Sequence, residues 1–406
     1  MNPREQRGLE LAKAAKITQH GEAWQVPSQS GNKKRYRVRL DGEFPRCTCP
    51  DFEFRGQRCK HIHAVEYTLK QETTADGTTT VTETVKVTYG QNWPAYNTAQ
   101  TNEKARFMVL LAGLCQGIPE PPQGLGRPRV SLRDVVFSAA FKVYSTVSTR
   151  RCMSDLQDAH AKGYISKAPH YNTIIKYLEL PDLTPILRDL IVVSSLPLKA
   201  VETDFAVDAS GFSSSRFVRW YDAAYGPQQD RHDWLKVHLM VGVKTNIVTS
   251  IEISGRYDHE SPLFPALVEN TARNFTLESV SADKAYSSRK NLQLVTDKGA
   301  TPYIPFKGGT LEPTEDSVWK KMYHFYHFNR EAFLSHYHKR SNVESTFAMM
   351  KAKFGDRLRS KTDVAQANEM LLKVLAHNIC VVIQSMYELG IEPTLWASDD
   401  SAHKVP

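Results

Sequence analysis

Long apolar runs are missing from this 406-residue chain. A membrane-spanning helix needs about 18 or more consecutive apolar residues, so none is expected and no membrane partner is implied. The first residues, MNPREQRGLELAKAAK, lack the apolar centre of a secretory leader, which points to an intracellular, cytoplasmic protein. Cysteine is scarce. Of the 6 present, Cys47, Cys49 and Cys59 fall together while Cys115, Cys152 and Cys380 are scattered. One tight cluster in an intracellular chain suggests a metal, not a disulfide framework. An acidic surplus is also absent. Lys and Arg number 52 against 44 acidic residues, for a net charge of +8, which favours an anionic partner, nucleic acid before an acidic membrane surface.

What is present falls into blocks. KRYRVRL alternates charged and apolar residues and reads as a strand, with a turn at DGEFP. With the cysteine cluster and the helix-like HIHAVEYTLKQE it forms an N-terminal region, 1–72. The Thr-rich stretch that follows reads as a polar linker, 73–100. From 101 to 198 the patterns are helical, broken by GIPEPPQGLGRPR, KGYISKAPH and LPDLTP. After Lys199 the texture changes. AVETDFAVDASG, WLKVHLMVGV and IVTSIEIS read as three antiparallel strands; helix, strand, helix and strand follow, and then a long helix over about 329–355. The order β-β-β-α-β-α-β-α predicts an α/β fold, a mixed sheet flanked by helices, over 199–390, with 391–406 as a tail.

RCTCPDFEFRGQRCKHIHAV places Cys47 and Cys49 two apart, then Cys59 and His61 two apart. On a strand, positions i and i+2 point the same way, so the first pair can hold one ion and the second can close the tetrahedron. Three thiolates and one imidazole make a closed structural zinc site, with His63 as the alternative to His61. A module of 30–40 residues has little core, so zinc would supply much of its stability. The pattern C-x-C, nine residues, C-x-H resembles the SWIM zinc finger, which implies DNA or protein binding.

A second constellation is acidic. Asp208 closes VDASGF and Asp283 closes SVSAD, so each is read at a strand end facing the open edge of the sheet. Asp204 is the rival for the first position. On a continuous helix, Tyr337, Arg340, Glu344 and Lys351 fall within about 60° of one another, beside an apolar stripe of Val343, Phe347, Met350 and Phe354. Three carboxylates without Cys or His suit Mg²⁺ or Mn²⁺. Two such ions would clamp both oxygens of an in-line phosphoryl displacement.

Tyr337, Arg340, Glu344 and Lys351 fit Y-x2-R-x3-E-x6-K without a gap. This resembles the YREK signature of insertion-sequence DDE transposases of the insertion sequence four and five superfamily. VDASGF and ADKAYSS resemble that family's two Asp motifs, and the likeness runs over about residues 125–385. It implies a ribonuclease H-like fold and a Mg²⁺-dependent, nucleoid-associated DNA transposase that cuts element ends and joins them to target DNA, working as a homodimer on DNA. Asp208, Asp283 and Glu344 would hold two metal ions; Arg340 and Lys351 would contact phosphates, and Tyr337 would sit beside a terminal phosphate. The alternatives are a nuclease of the same fold that does not join strands, and a regulator that binds DNA without cutting it. Only 60 residues separate Asp283 from Glu344. The large β-rich insertion of some members is therefore missing, and Trp319 is expected to pack instead of stacking a flipped base.

For end recognition, the 149–180 segment reads as helix, turn, helix, with Asn172 and Lys176 reaching a groove. GRPR resembles a minor-groove arm through Arg127 and Arg129. NKKRYRVR adds positive charge for phosphates, or protects a sheet edge.

Overall fold

The computed structural model of the chain describes residues 3–15, 17–20, 23–28, 34–40, 45–73, 79–83, 92–126, 128–214 and 234–396. The chain divides after residue 91 into two compact units, and each is taken by itself.

In the first unit, α1 (Pro3–Ala14) precedes a four-stranded antiparallel sheet of β1 (Thr18–His20), β2 (Ala23–Pro27), β3 (Arg35–Arg39) and β4 (Arg46–Cys47), in that spatial order. Next come α2 (Pro50–Arg55) and α3 (Lys60–Thr68). Strand alternation sends Trp24, Val26 and Val38 to one face, where Leu11, Ile62 and Val65 complete a small core. β5 (Leu69–Thr73) and β6 (Thr79–Glu83) pair as a hairpin inside the stretch expected as a linker. β3 bonds to β2 on one side and β4 on the other. Its arginines therefore do not protect an edge, and that reading of NKKRYRVR is withdrawn.

The second unit opens with helices α4 (Trp93–Gln116), α5 (Leu132–Ser145), α6 (Met153–Ala161), α7 (Tyr171–Leu178) and α8 (Leu183–Ser195). Its sheet contains β7 (Asp204–Ser213), β8 (Trp234–Gly242), β9 (Val248–Ser254), β10 (Ser279–Ala282) and β11 (Thr301–Tyr303), with α9 (Phe264–Ala272) and α10 (Arg289–Asp297) as crossovers. α11 (Val318–Phe328), α12 (Arg330–Tyr337), α13 (Ser341–Phe354) and α14 (Asp363–Leu389) follow. The spatial order is β11-β10-β7-β8-β9. β10 and β11 run parallel to β7, and β8 runs antiparallel to both its neighbours. This is the mixed, ribonuclease H-like sheet that the element order predicts. Phe205 and Val207 point into one core with α9 and α10, while Ala206 points into the other with α5, α8, α13 and α14. Central strands buried on both faces need such near-continuous apolar runs.

The helices of 101–198 share one core with the sheet and α14. Two expectations change. β7 does not end near Asp208. Its ladder with β8 runs on to Ser213 opposite Trp234, and the chain after α13 grips its end, with Ser213 donating to the Asp356 carbonyl at 3.0 Å. The long helix over 329–355 is broken, because a 3₁₀ turn at His338–Arg340 separates α12 from α13. Such a turn winds 120° per residue in place of 100°, so a single helical wheel does not describe Tyr337 to Lys351. In addition, α14 is long and apolar enough to cross a membrane by length and composition, but 78% of its most apolar window is buried. It is the spine of the core.

Candidate carboxylate site and metal-binding cluster

Parallel pairing of β7 with β10 places Val207 opposite Ala282. The next residues are Asp208 and Asp283, so the ladder delivers both carboxylates at the same level of the sheet. Each is pinned by its own backbone: Asp208 Oδ1 accepts from the Ala209 N–H at 2.8 Å, and Asp283 Oδ1 from the Lys284 N–H at 2.7 Å. The apolar stripe Val343, Phe347, Met350 and Phe354 anchors α13 in the core. Its first turn then presents Glu344, where a carboxylate is favoured by the helix dipole.

Arg340 joins the pieces. Its Nη1 donates to Asp208 Oδ2 at 2.6 Å and its Nη2 to Glu344 Oε1 at 2.6 Å. The guanidinium also lies 5.8 Å from the Tyr337 ring. One helical turn from the far end of α13, Lys351 Nζ donates to Ser210 Oγ at 2.7 Å and stands over Phe212. Burial raises the Asp208 carboxyl above the ordinary range; the Ala209 N–H and Arg340 pull it back, while Asp283 and Glu344 push it further up. Burial likewise raises the Tyr337 hydroxyl, with Asp283 adding to the effect. These mutual influences define one electrostatic site of three acids, one arginine and one tyrosine.

The donors fit a hard divalent cation, since all are carboxylate oxygens. Arg340 spans two of the three acids, Asp208 and Glu344. Asp204, the rival, has other work. Lys339 Nζ donates to its Oδ2 at 2.6 Å and Ser279 occupies its Oδ1. Burial opposes ionisation there, but these two contacts outweigh it and hold the carboxyl below the usual range.

In the first unit, Cys47, Cys49, Cys59 and His61 are all buried, with ligand atoms within 4.8 Å of one another. The Cys59 thiol is drawn down to about 3, first by its contact with Cys47, whose own thiol is pushed up by that contact and then by burial. Thiols packed this tightly compete for negative charge, which a cation in their midst relieves. His61 Nδ1 lies 3.8 Å from Cys59 Sγ, and its Nε2 is buried without a hydrogen-bond partner. The donor set fits zinc. His63 is engaged elsewhere, 3.2 Å from Glu66.

The remaining expected residues lie apart from both sites. Asn172 and Lys176 are exposed on α7, which packs on α5 and α14 through Ile174 and Leu178. The connection from α6 spans nine residues and is tied down by Asp134, which accepts from the Ser166 and Lys167 N–H groups. That is longer than the short turn of a helix-turn-helix pair. Arg129 is exposed, and Arg127 lies outside the described residues. Trp319 packs edge-on against Phe306, with centroids 4.7 Å apart. Sequence reasoning missed Lys339 and Ser210. It also missed Lys373, which donates to the Gly355 and Arg357 carbonyls at 2.8 Å each just beyond α13; a lone lysine inside the apolar LLKVLAHNI was the signal.

Comparison with known proteins now adds names to this geometry. Residues 199–379 match the Transposase DDE domain family, and residues 36–70 match the SWIM zinc finger family. Each match falls on one of the two sites: the first spans Asp208, Asp283 and Glu344, the second Cys47, Cys49, Cys59 and His61. A probable transposase for insertion sequence element ISA1214, from Archaeoglobus fulgidus, is 25% identical over 212 residues, 52% of this chain and 63% of that protein. This chain therefore spans under two thirds of that relative's length. A piggyBac transposase in a synaptic complex with hairpin DNA superposes with a TM-score of 0.35 at 10% identity, over 70% of this chain and 72% of that one. That superposition is too loose to build on.

Proposed function

We propose that the protein is a DNA transposase that cuts element ends and joins them to target DNA. The observation that carries this reading is the arrival of Asp208 and Asp283 at one level of the sheet, with Glu344 joined to Asp208 through the guanidinium of Arg340. The DDE domain match supports it. Asp208, Asp283 and Glu344 would hold divalent ions, Mg²⁺ or Mn²⁺, which when bound activate the attacking oxygen and neutralise the leaving one. The chain's own residues do the rest. Arg340 exchanges its carboxylate partners for phosphate oxygens, which a guanidinium grips through two parallel N–H bonds. Lys351, anchored on Ser210, supplies a second cation two residues further along β7. Tyr337 packs beside Arg340 and fixes its approach. Asn172, Lys176 and Arg129, all exposed, reach DNA away from the reacting strand. Two protomers act together, since two ends must be paired. The SWIM module holds one structural zinc through Cys47, Cys49, Cys59 and His61.

Strand cleavage and joining with end-containing DNA and Mg²⁺ test the reading. Asp208→Asn, Asp283→Asn and Glu344→Gln should each abolish cleavage while DNA binding persists. Cleavage surviving in all three variants would remove the site. Cleavage without joining would assign a nuclease instead.

A further inference from the structure

We infer that the open face of the zinc module's sheet is a second DNA contact, one that follows the phosphate backbone of a duplex. Side chains on a strand alternate. Trp24, Val26, Val38 and Cys47 point into the core, so the intervening Arg35, Arg37 and Arg39 of β3 and Arg46 of β4 share the outer face. All four are exposed. Arg39 stands directly opposite Arg46, and Arg37 opposite Gln25. Like charges facing each other across a ladder cost stability, and an anion lying across the pair offsets that cost.

Among the described residues, the paired acids of the module are engaged elsewhere. Asp51 pairs with Arg4 and Arg55, and Glu66 with Arg58 and His63. Among the described residues, none pairs with the four sheet arginines. Because β3 lies inside the sheet, its three arginines are not there to protect an edge.

The spacing fits a nucleic acid. Alternate residues of a strand lie about 6.8 Å apart. Each nucleotide of a duplex strand rises about 3.4 Å along the axis and also turns around it, which puts neighbouring phosphates about 7 Å apart, so Arg35, Arg37 and Arg39 meet three successive phosphates of one strand. Guanidinium groups bind such oxygens two bonds at a time. A contact of this kind is independent of base sequence. It would add affinity for ends and target alike and leave discrimination to other residues. This inference rests on the reading that the chain acts on DNA.

The test uses the full-length chain and a random-sequence duplex of about 20 base pairs, with binding followed by fluorescence anisotropy across a salt series. Arg37→Gln with Arg39→Gln should weaken binding about tenfold or more near 0.1 M salt. The slope of log affinity against log salt should become shallower by about 2, since each phosphate no longer neutralised removes about 0.9. Replacement of Arg35, Arg37 and Arg39 by Lys should keep the slope, and zinc content should stay at the wild-type value in every variant. Wild-type affinity and slope in the glutamine variant would overturn the inference while leaving the transposase reading in place. So would a loss of binding confined to anionic lipid vesicles. A wild-type protein that fails to bind the duplex at all would sink both.

Discussion

Arg340 and Asp208 lie 132 residues apart in the chain and 2.6 Å apart in space. The guanidinium also reaches Glu344, so one arginine balances two of the three acids. A divalent ion held by these acids, as proposed, would compete with this guanidinium for the same oxygens. Arg340→Gln should therefore bind Mn²⁺ more tightly in the absence of DNA, by about tenfold or 1.4 kcal/mol, while DNA cleavage falls. Isothermal titration with Mn²⁺ measures the first effect. Weakened Mn²⁺ binding would show that the arginine orders the acids for the metal instead of standing in for it.

Asp204 and Asp208 share a strand face but not a task. Asp204→Asn removes the ion pair that ties Lys339, the neighbour of Arg340, to the start of β7. It should retain Mn²⁺ binding and keep cleavage within about tenfold, for a stability cost of about 1 kcal/mol. Asp208→Asn should lose several kcal/mol of transition-state stabilisation, about a thousandfold in rate or more. Equal losses in the two variants would mean that the carboxylate assignment along β7 is wrong.

Two buried histidines set an acid limit. His238 lies between the Tyr286 hydroxyl at 3.1 Å and the Ser254 hydroxyl at 2.9 Å, and His377 Nε2 donates to the Asn246 carbonyl at 2.9 Å. Burial drives both from 6.5 down to about 4. Between these values the unfolded chain takes up protons that the folded chain refuses. Stability from these groups is thus complete above pH 6.5 and is lost as pH falls toward 4, at up to about 1.4 kcal/mol per pH unit for each histidine. Denaturant midpoints across this range should fall steadily, and His377→Gln should flatten the slope. A flat profile in the parent protein would contradict the burial argument.

Zinc should be a folding component of the first unit alone. Cys49→Ser, or a chelator, should remove the ion and expose the amides of β1–β4 and α3 to hydrogen exchange, while those of β7–β11 remain protected. Elemental analysis and exchange mass spectrometry report the two effects separately. Unchanged metal content would exclude the cluster as the binding site.

Much of this was legible in the chain. Period-two stretches gave the strands, and the run of alternating elements gave the sheet's mixed character. Cys47, Cys49, Cys59 and His61 announced themselves by spacing, because all four lie close in sequence. The failures have physical causes. Asp208 looked terminal since ASG follows it, yet β8 continues to pair with those residues, and a small residue costs little in a strand whose partner is already in place. The break at His338–Arg340 contains neither Gly nor Pro. It is imposed by contacts such as Lys339 to Asp204, and tertiary contacts leave no local mark. The Arg340–Glu344 pair follows from helical spacing, but the bond to Asp208 does not.

Lys373 and Glu369 hold the segment after α13 from the last helix of the core: one grips the carbonyls of Gly355 and Arg357, the other the N–H groups of Arg359 and Ser360. Ser213, at the end of β7, bonds to the same segment through Asp356 and Leu358. Strand, helix and last helix are thus clamped at one place, so damage to α14 at Lys373 or Glu369 would be felt at the end of the strand that carries Asp208.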